Sequence, residues 1–341
     1  MSTWVILAAL LALALVTGWP RHGLIARWRE GRGLAARVRR EDALKHLLKA
    51  EANHQPATIE SVAGAVEIRR ASAVGLLADM DRRGLISFEQ GDLRLLPAGR
   101  ELALHVIRTH RLWESHLAEN TGISESEWHR QAERAEHRLS REQADALAAA
   151  LGNPARDPHG DVIPVPGGVL PPEPGQSLSA VPLNTAVRIV HVEDEPQAIY
   201  AQLTAQGIRP GMKLCVLDKT PHRLRFWADG QEHVLAPMFA NNVSVALLPD
   251  YQASDLFEEQ YLTSLRPGQQ AKILSLSPAC RGAERRRLLD LGFVPGTTIE
   301  AEMASLGGDP MAYRVRETTV ALRREQANLI CITTAKAAPA A

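Results

Sequence analysis

H-R-L-W-E at residues 110–114 and E-W-H-R-Q-A-E-R-A-E-H at residues 127–137 are the stretches on which the reading of this chain turns. On an α-helix, residues three and four apart share a face. His129, Glu133, Glu136 and His137 then form one stripe of imidazole and carboxylate, and His110 and Glu114 form an i, i+4 pair on the preceding segment. Packing the two segments together would converge nitrogen and oxygen donors from both. No cysteine lies among them, so the set suits Mn(II), Fe(II) or Zn(II) and argues against a thiolate-rich site. The alternative is a solvated helix face rich in Glu and His. Recurrence of the spacing on two adjacent segments favours the metal.

The flanking sequence places both segments on helices. Residues 98–121 carry Leu102, Leu104, Val106, Ile107, Leu112 and Leu117, and Gly122 ends the run. Ser124 with Glu127 has capping-box spacing for the next helix, and Ser140 with Gln143 repeats it for a third that ends near Gly152. A Pro- and Gly-rich tract over residues 153–175 reads as a linker or irregular loop.

Upstream, residues 41–97 predict a winged helix-turn-helix. Leu44, Leu47 and Leu48 mark a helix over residues 41–52 that is broken by Asn53-His54-Gln55-Pro56. Thr58 is placed to cap a short helix carrying Ile59, Val62, Ala63 and Val66. A third helix over residues 69–83 has Val74, Leu77 and Met80 as its apolar side and Gly84 as its stop. The runs at 85–88 and 93–96 flank Gln90-Gly91-Asp92, a hairpin signal. In such a fold the third helix enters the major groove. Arg69, Arg70, Ser72 and Ala73 would then lie where base and phosphate contacts form, with Arg82 and Arg83 on phosphates. The competing reading is a small helical domain with surface arginines.

Downstream, the chain repeats itself. L-T-A-Q-G-I-R-P-G at 203–211 recurs as L-L-D-L-G-F-V-P-G at 288–296, and A-N-N-V-S-V at 240–245 is paralleled by A-N-L-I-C-I at 327–332. Strand-like runs surround each copy, at 187–192 and 213–217 and again at 271–276 and 298–303, with one short helix before each L-G-x-x-P-G or Q-G-x-x-P-G turn. The pattern predicts a duplicated small β-barrel-like module over residues 178–250 and 262–334, separated from the helices by a linker at 165–177. Neither copy carries a convincing catalytic constellation, and His222 and His233 read as surface residues. A binding or regulatory role is the default.

At the other end, residues 4–19 form an almost unbroken apolar run bounded by Trp4 and Trp19. It is slightly short of the roughly 20 residues that span a bilayer, and extension to Ile25 could complete it. A signal peptide would need a basic start, and Met1 to Thr3 has none. Arg21, Arg27, Arg29, Arg32, Arg37, Arg39 and Arg40 follow instead. The expectation is a single-pass anchor over residues 1–27 in the cytoplasmic membrane. A basic juxtamembrane segment at 28–40 would face anionic lipid, with all later domains in the cytoplasm.

Composition narrows the choice of partner. The 341 residues carry a formal net charge of zero, so global charge steers toward no partner, and at 4% aromatic the chain is a poor candidate for base-stacking single-strand binding. Its hydrophobic content of 45% suffices for two or three cores. Cys215, Cys280 and Cys331 are scattered, which fits a reducing compartment and packing roles.

Residues 41–164 resemble the family of metal-dependent repressors that includes the diphtheria toxin repressor and the manganese transport regulators. The resemblance is carried by E-D-A-L-K-H-L-L at 41–48, M-D-R-R-G-L-I at 80–86, L-x-x-x-G-R at 95–100, T-H-R-L-W-E at 109–114, E-x-x-E-H at 133–137 and D-P-H-G-D-V-I-P at 157–164. Both repeats look like FeoA-type, SH3-like modules. The resemblance implies an α+β architecture with a winged helix, a helical metal-binding and dimerisation domain over residues 98–164, and two small barrels. It implies one ligand set at Asp42, Glu133, Glu136 and His137 and another at His110, Glu114 and His129, taking Mn(2+) or Fe(2+). Carboxylates at Asp42 and Glu133 lean toward manganese-like chemistry. Lys45 replaces a second carboxylate of manganese-type members, which opposes two adjacent metals. The implied function is a metal-dependent repressor that binds operator DNA as a homodimer and acts from the membrane face. An adaptor that meets a ferrous iron transporter through its FeoA-type copies, without binding DNA, is the competing class. A di-iron enzyme is disfavoured, because E-x-x-H on two helices is missing.

Overall fold

The computed structural model describes residues 24–89, 92–172, 175–249, 260–277, 279–333 and 336–337. The chain divides into two compact units, Met1–Arg108 with Pro164–Leu170, and Thr109–Ile163 with Pro171–Ala341.

The first unit opens with α1 (Leu24–Ala52). Alanine, leucine and arginine favour helix throughout this stretch. Ala43, Leu44, Leu47 and Leu48 form its buried stripe. His54, at φ 54°, takes the left-handed turn after it. The helix begins far earlier than residue 41, so the basic segment over 28–40 belongs to the folded unit. There Arg37 pairs with Glu41 at 2.7 Å and Arg40 with Asp79 at 3.2 Å. The expectation of a membrane-anchored chain is corrected: among the described residues no helix is long and apolar enough to cross a membrane. The first described helix carries Arg37, Arg39, Arg40, Glu41, Asp42 and Lys45 where lipid would require an apolar surface. The apolar run at 4–19 lies outside the described residues.

α2 (Ile59–Ala65) starts at Thr58, whose side chain accepts from Ser61 N while Ser61 Oγ accepts from Thr58 N. α3 (Arg70–Arg82) buries Ala73, Leu77 and Met80 and ends before Gly84, at φ 69°. Val74, expected inside, is 45% exposed. Leu77 and Met80 face inward as expected, and Ala73 takes the inward place expected of Val74. β1 (Ile86–Glu89) and β2 (Asp92–Leu95) pair antiparallel, Ile86 opposite Leu95. α4 (Pro97–Asn120) follows. A Cβ on its Gly99 would lie 2.0 Å from Leu85 O, so only glycine lets the first turn press on the start of the hairpin.

α4 continues into the second unit, where α5 (Trp128–Glu136) and α6 (Arg141–Ala150) pack on it. Ser140 and Gln143 form the expected capping box. Ser124 does not cap: its hydroxyl meets Ser126 Oγ, and a 3-10 turn over Glu125–Glu127 precedes α5.

Two antiparallel sheets complete this unit. The first contains β3 (Gln176–Ser177), β4 (Ala186–Val192), β5 (Lys213–Lys219), β6 (Leu224–Ala228), β7 (Gln231–Leu235) and β8 (Val243–Leu247) in the order β3-β8-β4-β5-β6-β7. α7 (Gln197–Ala205) links β4 to β5, and α8 (Pro237–Ala240) links β7 to β8. The second contains β9 (Gln260–Tyr261), β10 (Gln269–Leu276), β11 (Thr298–Ala304), β12 (Met311–Val315), β13 (Thr318–Leu322) and β14 (Ile330–Ile332) in the order β13-β12-β11-β10-β14-β9. α9 (Gly282–Asp290) and α10 (Arg324–Ala327) take the corresponding links, and β15 (Lys336–Ala337) adds to β10. The strand order is the same in both copies. So are the bulges, at Ile189/His191 and Ile273/Ser275 on one strand pair and at Val216/Asp218 and Ala301/Met303 on the next. Phe226 fills the first core, and Phe293 and Tyr313 the second. His233, expected at the surface, is buried and stacks on Phe226 at 5.2 Å between centroids. The cysteines are free, with Cys215 and Cys280 buried.

Candidate metal centre

In the second unit α4 presents His110 and Glu114 one turn apart, both buried. Trp128 sets α5 against it: the ring packs with Leu117 and Ala118, and the indole N–H donates to Ile123 O at 3.0 Å. His129 is then the second residue of α5. Its ring lies edge-on to that of His110, with centroids 4.9 Å apart.

The fourth member comes from the loop after β4. His129 Nδ1 lies 2.7 Å from Asp194 Oδ2 and 3.6 Å from Glu114 Oε1, and His110 Nε2 lies 3.1 Å from Glu114 Oε1. His110, Glu114, His129 and Asp194 each offer one donor atom, all within 4.8 Å of one another. Sequence reasoning missed Asp194. It stands about eighty residues from Glu114 in H-V-E-D-E-P at 191–196, and that acidic run directly after a strand was the available signal. The first sheet module is docked where it can deliver this side chain. Tyr200 OH donates to Glu125 at 2.9 Å, Arg209 Nη2 to Glu125 at 3.0 Å, and Gln197 Nε2 to Ser126 O at 2.7 Å.

The donor set fits a divalent cation. Glu136 Oε2 lies 2.5 Å from His110 Nδ1 and orients that ring. If Nδ1–H donates to Glu136, a neutral His110 turns the lone pair of Nε2 toward Glu114, so two acceptors face each other across 3.1 Å. A proton or a metal resolves that opposition. His129 Nδ1 is buried beside two carboxylates yet aligned for a hydrogen bond with neither. Two imidazoles and two carboxylates are a hard oxygen and nitrogen set. Without a cation, protons play its part. Burial opposes the charge, yet His110 and His159 hold Glu114 well below the usual carboxylate range. Likewise, against its burial, Asp194 is held low by His129, and His129 is held above the usual imidazole value by Asp194 and Glu114.

Glu133 lies 3.5 Å from His129 Nε2 and is about half exposed. Glu136 and His137 are buried at the end of α5, with His137 Nε2 3.4 Å from Glu136 Oε1. The helix ends at Glu136, and His137 is its C-cap. Asp42 lies on α1 of the first unit.

On the first unit, Arg69, Arg70 and Ser72 are exposed at the start of α3. Ala73 is corrected: it is 0% exposed in the core beneath α3 and cannot reach a base. Arg70 pairs with Glu60 at 2.6 Å, and Arg82 and Arg83 pair with Asp79 at 3.4 and 2.7 Å, all at the surface.

Known proteins resemble parts of this chain. The family described as "Iron dependent repressor, metal binding and dimerisation domain" matches residues 96–165, and the FeoA domain matches residues 261–334. The chain is 32% identical over 175 residues to the iron-dependent repressor IdeR of Mycobacterium tuberculosis, covering 46% of this chain and 74% of that protein. It is 32% identical over 164 residues to the diphtheria toxin repressor of Corynebacterium diphtheriae, covering 43% of this chain and 70% of that protein. Among solved structures, a manganese-dependent transcriptional repressor in complex with manganese superposes with a TM-score of 0.56 at 27% identity, covering 61% of this chain and all of that one.

Proposed function

Because the chain belongs to the family of the iron-dependent repressor IdeR and the diphtheria toxin repressor, we propose that it is a DNA-binding transcriptional repressor whose activity depends on Mn(II) or Fe(II), not an enzyme. The observation that carries this reading is the convergence of His110, Glu114, His129 and Asp194 within one buried cluster. We read these four as ligands and Glu136 as the residue that orients His110. The bound metal supplies positive charge that balances two carboxylates in a protein interior. Its carboxylate content favours Mn(II) over softer ions. The two sheets are read as SH3-like modules of FeoA type, the first of which completes the site with Asp194.

α4 starts beside the hairpin of the first unit and carries His110 and Glu114 in the second. Metal affinity and DNA affinity are then linked, each ligand favouring the state the other prefers by the same factor. A homodimer formed through the helical domain would present two α3 helices to two half-sites about one DNA turn apart. Arg70, Arg82 and Arg83 would leave their surface carboxylate partners and join Arg69 and Ser72 on phosphates and base edges.

The test is fluorescence anisotropy of the full chain titrated onto labelled genomic promoter fragments, with Mn(II), with anaerobic Fe(II) and with neither, beside Glu114→Gln. Metal-dependent DNA binding that the variant loses is the expected result. A folded, dimeric protein that binds no promoter fragment under either metal overturns the repressor reading.

A further inference from the structure

Pro158, His159 and Gly160 form a turn that the metal cluster leaves unused, although its imidazole touches that cluster. His159 is 2% exposed, and neither ring nitrogen has a hydrogen-bond partner. Its Nε2 stops 3.6 Å from Glu114 Oε1. The ring lies edge-on to Tyr200 at 4.9 Å and tilted to Trp128 at 6.3 Å. A buried polar ring without aligned partners is costly, so it persists where the surroundings dictate its place.

The surroundings here are unusually complete. Asp157 Oδ1 accepts from the backbone N–H of His159 and of Asp161, both at 2.9 Å, closing the turn. Val192 N donates to His159 O at 2.9 Å, which ties the turn to β4 just before Asp194. Gly160, at φ 98°, lies so close to β4 that a Cβ would stand 2.0 Å from Val190 O.

The last restraint comes from the second sheet module. Arg281, the residue before α9, donates from Nη1 to Pro158 O at 2.7 Å and from Nη2 to Pro210 O at 3.5 Å. The approach depends on Gly282, where a Cβ would lie 2.6 Å from Ala118 O at the end of α4. One guanidinium thus joins the turn that holds His159 to the loop before β5, and its neighbour packs on the helix that carries Glu114.

We propose that the second FeoA-type module is a positioning element for the metal centre: Arg281 fixes Pro158, and Pro158 fixes His159 against Glu114. Arg281 touches no ligand and acts through His159, which orients Glu114 from outside the donor set. Such outer partners typically alter metal affinity by about 10–100-fold when removed. The inference rests on the metal reading above and extends it to a domain outside the cluster.

The experiment is isothermal titration of the full chain with Mn(II) alone, with the electron paramagnetic resonance spectrum of bound Mn(II) as the second readout. The variants are Arg281→Ala, Arg281→Lys, His159→Phe, the double variant Arg281→Ala/His159→Phe, and Glu114→Gln. Arg314→Ala, an exposed pair with Glu302 in the same module, is the control. The expected result is roughly tenfold weaker Mn(II) binding and an altered spectrum for Arg281→Ala and for His159→Phe. The double variant should be no weaker than His159→Phe, Arg281→Lys should recover part of the loss, and Arg314→Ala should match wild type. Wild-type affinity in Arg281→Ala overturns the proposal, and so does a further loss when it is added to His159→Phe. If Arg281→Ala fails to fold, His159→Phe decides, because an aromatic ring still fills the site beside Tyr200 and Trp128; unchanged Mn(II) affinity there overturns it. Wild-type binding by Glu114→Gln defeats the metal reading itself, a different failure from that of Arg281.

Discussion

Asp194→Asn is the sharpest perturbation of the proposed centre, because it removes one charge and almost no volume. The side chain is 13% exposed and lies 2.7 Å from His129 Nδ1. In such a partly buried setting, with an effective dielectric constant of about 20, a unit charge about 4 Å away is worth about 4 kcal/mol. The asparagine oxygen and an entering water recover a good part of that, leaving about 1.5–3 kcal/mol. At about 1.4 kcal/mol per decade this is roughly 10–100-fold in Mn(II) affinity. The fold should survive, since His129 keeps Glu114 and Glu133 as neighbours. Titration calorimetry with Mn(II) measures the loss, with circular dichroism as the check on structure. An Asp194→Asn protein that is folded and binds Mn(II) within twofold of wild type would refute the role of this loop as a ligand.

Further expectations follow from the same geometry. Metal binding should release protons, because His129 is held protonated by Asp194 and Glu114 in the metal-free protein; affinity then rises with pH, and the calorimetric heat should depend on buffer ionisation. Arg69→Ala/Arg70→Ala should weaken DNA binding across sequences and lower the logarithmic salt slope by roughly 2, if each arginine neutralises one phosphate. An unchanged slope would remove both from the interface. His46 accepts or shares a proton with Ser61 Oγ at 2.9 Å, and burial and then Lys49 lower its pKa from 6.5. The unfolded chain therefore takes up a proton first as pH falls below about 6.5, and the first unit loses stability from there down to the folded value. Urea melts of His46→Gln should lack that slope. Gly99→Ala forces a methyl into Leu85 O and should cost about 1–3 kcal/mol by the same melts; a neutral result would contradict the packing of α4 on the hairpin.

Local chemistry made much of this chain readable. The i, i+4 spacing put His110 and Glu114 on one face of a real helix, and the Thr58 and Ser140 caps start the helices they predict. The repeated nonapeptide at 203–211 and 288–296 revealed two sheets of equal topology. Errors arose where tertiary contact decides. Hydropathy favours Val74 over Ala73 as the buried residue, and only the packing of α3 shows that 73 faces inward. Ser124 has the right spacing for a cap, but its hydroxyl is taken by Ser126 in a 3-10 turn. Asp194 and His159 carry no periodicity, since both lie in loops whose aim is set by a distant strand and by Gly160. The apolar run at 4–19 drew the first boundary at residue 40, whereas α1 extends back to Leu24.

The two sheets differ most usefully in one place. Each turns from its first long strand into a short helix through one connection, residues 193–196 in the first copy and 277–281 in the second. The first of these delivers a carboxylate, Asp194, and the second delivers a guanidinium, Arg281. One connection in a repeated frame thus carries opposite charges in its two copies. In both copies the charged side chain that reaches out of the module stands on this loop and not on a strand.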